Sequence, residues 1–388
     1  MRRPNREPLY DAGATSRPMK RIGVDAHVLT GKFQGSRSWL ENILREVGQA
    51  DRRNQYLIYS FDPDTTRALL PFPNFEHRRI GIPSAIPRLF AYWPWVCLRE
   101  RLDGLLTQYI SPPLAPCRQL VVVHDVLFES HPWMFPAAMR WRLKLLCRLS
   151  AWRATAVLTV SDYCADEIAR RYRVARNRIV LARNAAPVGV SAAAETEAEA
   201  AALRPFLLCV GRLEPRKNVA LALAASARAR AAGIRLVVVG KEDFGSEDLA
   251  HALAQAANVV HRREVPADLL ATLYRHALAL VYPSRGEGFG LPVLEALNAG
   301  TPVLASDRTA IPEVGGPFAR YFNPEAEDAE AALAALIDDV VAHPHRLSGE
   351  DLHAHLRRFD WQTGAAALID VIERMPGQSY QRSPSMAR

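Results

Sequence analysis

Five short runs constrain the fold of this chain more than anything else in it. They are LVVVH at 120–124, FLLCVG at 206–211, LVVVG at 236–240, LALVY at 278–282 and PVLAS at 302–306. Each is apolar nearly throughout, not alternately apolar and polar, so neither face can turn to water. Runs of this kind separated by helical stretches mark a parallel sheet covered on both sides. Further candidates stand at 22–26, 56–60, 156–160, 179–181 and 258–261. The segment 63–116, rich in proline and aromatic residues, reads as loops and short helices on the rim of a first domain. With 388 residues in all, the length prior is two to three domains.

The chemistry gathers at 282–300, YPSRGEGFGLPVLEALNAG. After the strand, Gly286, Gly288 and Gly290 alternate around Glu287. Pro292 suits the first turn of a helix, Leu291, Val293, Leu294 and Leu297 give it an apolar face, and Asn298 to Gly300 form its stop. Such a turn aims backbone N–H groups and the positive end of a helix dipole outward, which holds a phosphate or diphosphate. Glu287 and Glu295 beside an anion site suit hydroxyl groups, which carboxylates accept. The ligand so described is half diphosphate and half polyol, as in a nucleotide sugar. A tight strand–helix connection with two solvated glutamates is the plainer alternative.

Two further strand ends carry ionisable groups. Arg212 and Lys217 follow 206–211 and offer a diphosphate a bidentate fork and a point charge, the alternative being a solvated basic loop. The strand at 120–124 runs into His124 and Asp125, and ligands of open α/β sheets bind beyond the carboxyl ends of strands. A histidine satisfied by a neighbour is the alternative there.

The spacing of Glu287 and Glu295 in EGFGLPVLEAL resembles the signature of retaining glycosyltransferases of the GT-B fold, in particular family 4. GRLEPRKN at 211–218, HDVLFESHPWMF at 124–135 and PEVGG at 312–316 resemble further elements of that family. The resemblance implies an α/β protein with two Rossmann-like domains, parallel sheets facing a central cleft, and a C-terminal helix crossing back to the first domain. On this chain that gives a disordered leader (1–18), an acceptor-side domain (19–189) and a linker (190–204). A nucleotide-sugar domain (205–358), a crossover helix (359–376) and a disordered tail (377–388) follow.

It also implies roles. Glu287 contacts donor-sugar hydroxyls and Glu295 the ribose, while the amides of Gly288, Phe289, Gly290 and Leu291 meet the diphosphate. Arg212 and Lys217 stabilise the departing phosphate, and no metal or other cofactor is expected. His124 faces the sugar, its backbone carbonyl near the reacting carbon, with Asp125 as orienter or structural residue. Gly35 belongs to a loop that approaches the donor phosphate, with Arg37 in the place of the family's second glycine and Trp39 in its aromatic position. Asn184 stands in a turn where Arg183 and Ala185 depart from the usual P-N-G, and Glu313 is structural. The implied reaction moves a hexose, by subgroup resemblance mannose from GDP-mannose, with retention. The acceptor is a glycan or a lipid-linked saccharide of cell-surface polysaccharide synthesis. A nucleotide-sugar epimerase of the same fold and a basic nucleic-acid binder are the alternatives.

Charge bears on the partners. Residues 1–184 hold 29 Lys and Arg against 16 Asp and Glu, a surplus of thirteen positive charges, while the remainder holds 20 against 25. A basic half suits something anionic. In the helix at 137–152, Arg140, Arg142, Lys144, Arg148 and the adjoining Arg153 stand around Trp141, Leu145, Leu149 and Trp152, and basic and aromatic residues together suit a membrane interface. Weak association with an anionic membrane surface is expected from it, or else a solvated basic face. No RRM or helix-turn-helix pattern accompanies the basic half, so nucleic acid is not an expected partner. Five scattered cysteines suit a reducing cytoplasm. No run reaches the roughly 18 apolar residues of a membrane span, and 1–18 lacks the apolar core of a signal peptide. The expected location is cytoplasmic, peripheral to the inner face of the membrane.

Overall fold

The computed structural model describes residues 18–31, 35–186, 193–243 and 246–376. The tail expected at 377–388 and all but the last residue of the expected leader lie outside them.

The first sheet holds β1 (Arg21–Asp25), β2 (Gln55–Ser60), β3 (Phe75–Arg79), β4 (Gly104–Gln108), β5 (Arg118–Val122), β6 (Ala156–Thr159) and β7 (Ile179–Leu181). Their order is β3-β2-β1-β4-β5-β6-β7, and every pairing is parallel. The second holds β8 (Phe206–Val210), β9 (Arg235–Val239), β10 (Val259–Arg262), β11 (Leu280–Tyr282), β12 (Val303–Ser306) and β13 (Ala319–Phe322). It is also parallel, in the order β10-β9-β8-β11-β12-β13. The order reverses at β1/β4 and at β8/β11, the switch points beyond which ligands of doubly wound sheets bind. The two Rossmann-like domains of the GT-B fold are thus both present.

The apolar runs explain both layers. On β5, Leu120 and Val122 join a core with Trp39, Leu40 and Ile43. Val121 and Val123 join another with Cys147, Ala151 and Ile168. Each face of the strand is covered by helices, which is why residues 120–123 carry no polar side chain.

Several elements differ from the sequence expectation. The segment 63–116 is more than rim, since it contributes edge strand β3 and central strand β4. β4 reads GLLTQ, and its two leucines are too short a signal; its pairing with β1 and β5 fixes it. β13 (ARYF) escapes for the same reason. Within the expected linker, Ala194–Ala202 is a helix lying on helix Ala267–His276, with Glu197 paired to Arg275 at 2.7 Å and His276 at 2.5 Å. The alanine-rich helix after Lys217 breaks at Ser226 into Val219–Ala225 and Ala227–Ala231.

The C-terminal helix Trp361–Arg374 returns to the first domain and packs on helix Gly35–Ala50. Asp360 caps its start, accepting from Gln362 N at 3.1 Å and Thr363 N at 3.0 Å. At its end, buried Lys20 donates to the carbonyls of Ile372 (2.5 Å), Glu373 (3.1 Å) and Met375. A cation there satisfies orphan carbonyls and complements the helix dipole.

Candidate active site

β11 delivers Tyr282 to the carboxyl edge of the second sheet, and the chain turns through Ser284 to Glu287, which is buried. Oε1 of Glu287 accepts from Lys217 Nζ at 2.7 Å, Tyr282 OH at 2.8 Å and Ser284 Oγ at 2.6 Å. Oε2 accepts from Arg216 Nη1 at 2.6 Å, and the same nitrogen donates to the Gly286 carbonyl at 2.7 Å. Burial alone would favour the neutral acid, but the charges of Arg216 and Lys217 outweigh it and hold the carboxyl well below its usual range. Burial lowers Lys217, with Glu287 opposing that pull. For Arg216 the carboxylates outweigh burial and keep the guanidinium charged. A buried carboxylate bridging two cations is the electrostatic centre of the second domain.

Arg212 is not one of the four donors to Glu287. It pairs with Asp243 at 2.7 Å, and both side chains are more than a third exposed. Arg216 occupies the place beside Lys217 instead. Both arginines belong to the stretch Arg212–Lys217, and only the 3₁₀ turn Pro215–Lys217, which throws Arg216 and Lys217 to one side, separates them.

Gly290, with φ of 106°, begins helix Leu291–Asn298, and Pro292 lies in its first turn. Phe289 is buried edge-on against Phe359, ring centroids 5.7 Å apart. Glu295 accepts from Tyr274 OH at 2.7 Å, and burial pushes its carboxyl up. The two glutamates of the sequence signature therefore sit in opposed environments, Glu287 held ionised and Glu295 biased toward the neutral acid.

Across the cleft, His124 follows β5. Its Nε2 donates to Gln108 Oε1 at 2.6 Å, and its ring meets Trp39 edge-on at 5.4 Å. Burial lowers its pKa to about 4, so the imidazole is neutral near pH 7. Asp125 accepts from Tyr109 OH at 3.1 Å and Leu127 N at 3.0 Å, and burial raises it. The His124 carbonyl accepts from the Cys164 thiol at 3.3 Å. Gly288 covers that carbonyl: a Cβ at 288 would fall 2.4 Å from the oxygen and 2.9 Å from Asp125 Cβ. Ser161 Oγ closes the contact by donating to the Gly288 carbonyl at 2.7 Å. The structure thus brings His124, Glu287, Gly288 and Lys217 to one junction between the sheets.

The remaining sequence candidates lie around this junction. Gly35 is the exposed first residue of its helix, and the loop residues 32–34 fall outside the described residues. Arg37 donates to the Gly31 carbonyl at 3.2 Å. Asn184 is buried, and its Oδ1 has no donor among the described residues. Tyr282, Ser284, Arg216 and Tyr274 are the residues that sequence reasoning did not assign. Tyr282 and Ser284 flank the glycine turn and were within reach of its pattern; Tyr274 comes from a separate helix and leaves no local signal.

With that geometry in view, residues 195–359 match the family described as Glycosyl transferases group 1. The chain is 31% identical to O-antigen chain mannosyltransferase B of Escherichia coli over 268 residues, 66% of this chain and 70% of the relative. It is 31% identical to O-antigen chain mannosyltransferase RfbU of Salmonella typhimurium strain LT2 over 308 residues, 77% of this chain and 84% of the relative. Among solved structures it resembles sucrose-phosphate synthase from Thermosynechococcus elongatus, with a TM-score of 0.72 at 18% identity, covering 91% of this chain and 98% of that one. Anabaena Alr3699/HepE in complex with UDP and glucose gives 0.69 at 17% identity, covering 92% and 100%. The solved structures speak for the fold.

Proposed function

The chain belongs to the group 1 glycosyltransferases, and on that premise we propose that it transfers mannose from GDP-mannose, with retention, to a glycan or lipid-linked acceptor of cell-surface polysaccharide. Arg216 and Lys217, fixed side by side on Glu287 at 2.6 and 2.7 Å, are the observation that carries the reading. Breaking the glycosidic bond leaves negative charge on the β-phosphate of the departing nucleoside diphosphate. Cations already oriented in a site sheltered from water stabilise that charge without reorganising, usually the largest catalytic contribution in such sites. Arg212, whose partner Asp243 is about a third exposed, adds a third positive group that a diphosphate can recruit. Helix Leu291–Asn298 begins at the glycine turn and offers its amides to the same anion. Glu287 orders the cations before the donor arrives and presents its oxygens to sugar hydroxyls. Charge stabilisation by these groups needs no metal ion, so chelators leave the rate unchanged. The sugar itself rests on relatives that are named mannosyltransferases.

Peripheral membrane association has its own support. On helix Ala137–Arg153, Trp141 is 63% exposed, Leu145 69% and Trp152 48%. Lys144 lies over the Trp141 ring at 5.4 Å and Arg148 over Trp152 at 4.8 Å. Exposed indoles with cations on their faces suit an anionic lipid interface. Among the described residues no helix is long and apolar enough to cross a membrane. Sedimentation with phosphatidylglycerol vesicles but not with phosphatidylcholine vesicles is the expected behaviour.

A panel of nucleotide sugars, incubated without acceptor and with or without EDTA, tests the donor. The wild type should release GDP slowly from GDP-mannose, and Glu287→Ala and Lys217→Ala should abolish the release. Turnover or binding confined to a different nucleotide would overturn the mannose reading.

A further inference from the structure

We propose that Glu313 is a positioning residue for sugar transfer: from the second domain it clasps the start of a first-domain helix and holds the two sheet ends in their working register. Glu313 sits in the short helix Ile311–Gly315. Its Oε1 accepts from Asp162 N at 3.0 Å and its Oε2 from Tyr163 N at 3.1 Å. Those amides open helix Asp162–Tyr172, whose own cap, Ser161, takes the N–H of Cys164 at 3.1 Å. First-turn amides have no intrahelical acceptor, and the helix dipole favours an anion there. A carboxylate some 150 positions away supplies it. Arg183, from the first domain, reinforces the clasp: Nε donates to Glu313 Oε1 at 3.3 Å while Nη2 holds Asp162 Oδ2 at 2.5 Å.

The clasp stands directly behind the junction. Ser161, which begins the clasped helix, also donates to the Gly288 carbonyl at 2.7 Å, and Gly288 covers the His124 carbonyl. Fixing the helix start therefore fixes Gly288 against His124, although Glu313 itself lies behind the contact and acts through Ser161. The inference rests on transfer by this family and not on the identity of the sugar.

Cys164 supplies a reporter that needs no ligand. Its thiol lies between the His124 carbonyl at 3.3 Å and the Gly288 carbonyl at 3.2 Å, and it is fully buried. Cys147 and Cys209 are buried inside the cores of the first and second domains respectively. Alkylation by N-ethylmaleimide, followed per cysteine by peptide mass spectrometry, separates opening at the cleft from general unfolding. Glu313→Ala should raise the Cys164 rate relative to the other two by about tenfold, as expected when charge-assisted bonds at a helix start are lost. Glu313→Gln, which keeps one acceptor, should fall between. Arg183→Met should shift in the same direction and serves if Glu313→Ala does not fold. For the donor that the wild type hydrolyses, kcat should fall about tenfold with KM less affected, as a register change predicts. Cys164 moving in step with Cys147 and Cys209 would overturn the clasp, as would accelerated Cys164 with unchanged kcat. If GDP-mannose is not turned over by the wild type, the donor reading fails while the labelling rates still decide the clasp.

Discussion

A Cβ at Gly288 would stand 2.4 Å from the carbonyl oxygen of His124, so the two domains meet at a point that admits no side chain. Gly288→Ala must push the sheet ends apart by about an ångström, and misplacement on that scale costs roughly 10²-fold in rate. Steady-state hydrolysis should show that fall in kcat, with the far-ultraviolet circular dichroism of the wild type retained. Wild-type kcat in the variant would mean that the enzyme does not work through this contact.

Lys217 Nζ touches both Glu287 Oε1 and, at 3.1 Å, the Tyr282 hydroxyl. Lys217→Met keeps the length of the stem and removes the charge. Single-turnover hydrolysis should slow by about 10²–10³, the usual effect of deleting one group that stabilises developing negative charge.

Arg216→Met leaves buried Glu287 with one cation in place of two, and breaking a buried pair from one side costs roughly 3 kcal/mol. Urea unfolding at pH 7 should register that loss, and adding Glu287→Gln should restore part of it. The depressed Glu287 carboxyl gives a second signature. Its stabilisation is complete above the ordinary value of 4.5 and drains away as pH falls toward the lower folded value. Glu287→Gln should flatten the stability profile only below about pH 4.5.

These convergences explain what was legible beforehand. LVVVG at 236–240 announces a buried strand because each of its faces is packed, whereas GLLTQ of β4 looks like loop until β1 and β5 are seen beside it. The glycine turn, Glu287 and Lys217 stand out locally, since each follows a strand. That Lys217 and Glu287 meet at 2.7 Å depends on β8 and β11 lying side by side, which a separation of 70 positions conceals. Arg216 and Arg212 are equivalent on paper, and only the turn between them sends one to Glu287 and the other to Asp243. Glu313 reads as structural in the sequence, but its partners are backbone amides, which leave no mark on composition or spacing.

His124 carries a pH prediction of opposite chemistry and the same direction. Burial lowers it from 6.5 to about 4, so between those values the unfolded chain binds a proton that the folded protein refuses. Stability is complete above pH 6.5 and declines as pH falls toward 4, by roughly 3 kcal/mol at about 1.4 kcal/mol per unit. Denaturant unfolding at pH 7.5 and 4.5 should show a difference that shrinks by about that amount in His124→Asn.

The chain passes between the domains twice, once between β7 and the helix Ala194–Ala202, and again just before the helix Trp361–Arg374. Two crossings leave the bodies they join fewer ways to move apart than one crossing would. Phe359 lies at the second crossing with its ring against Phe289 of the glycine turn. That contact ties the second crossing to the same turn that carries Glu287 and Gly288. A nick at either crossing would leave the halves joined by one strand of chain in place of two, with that restriction lost.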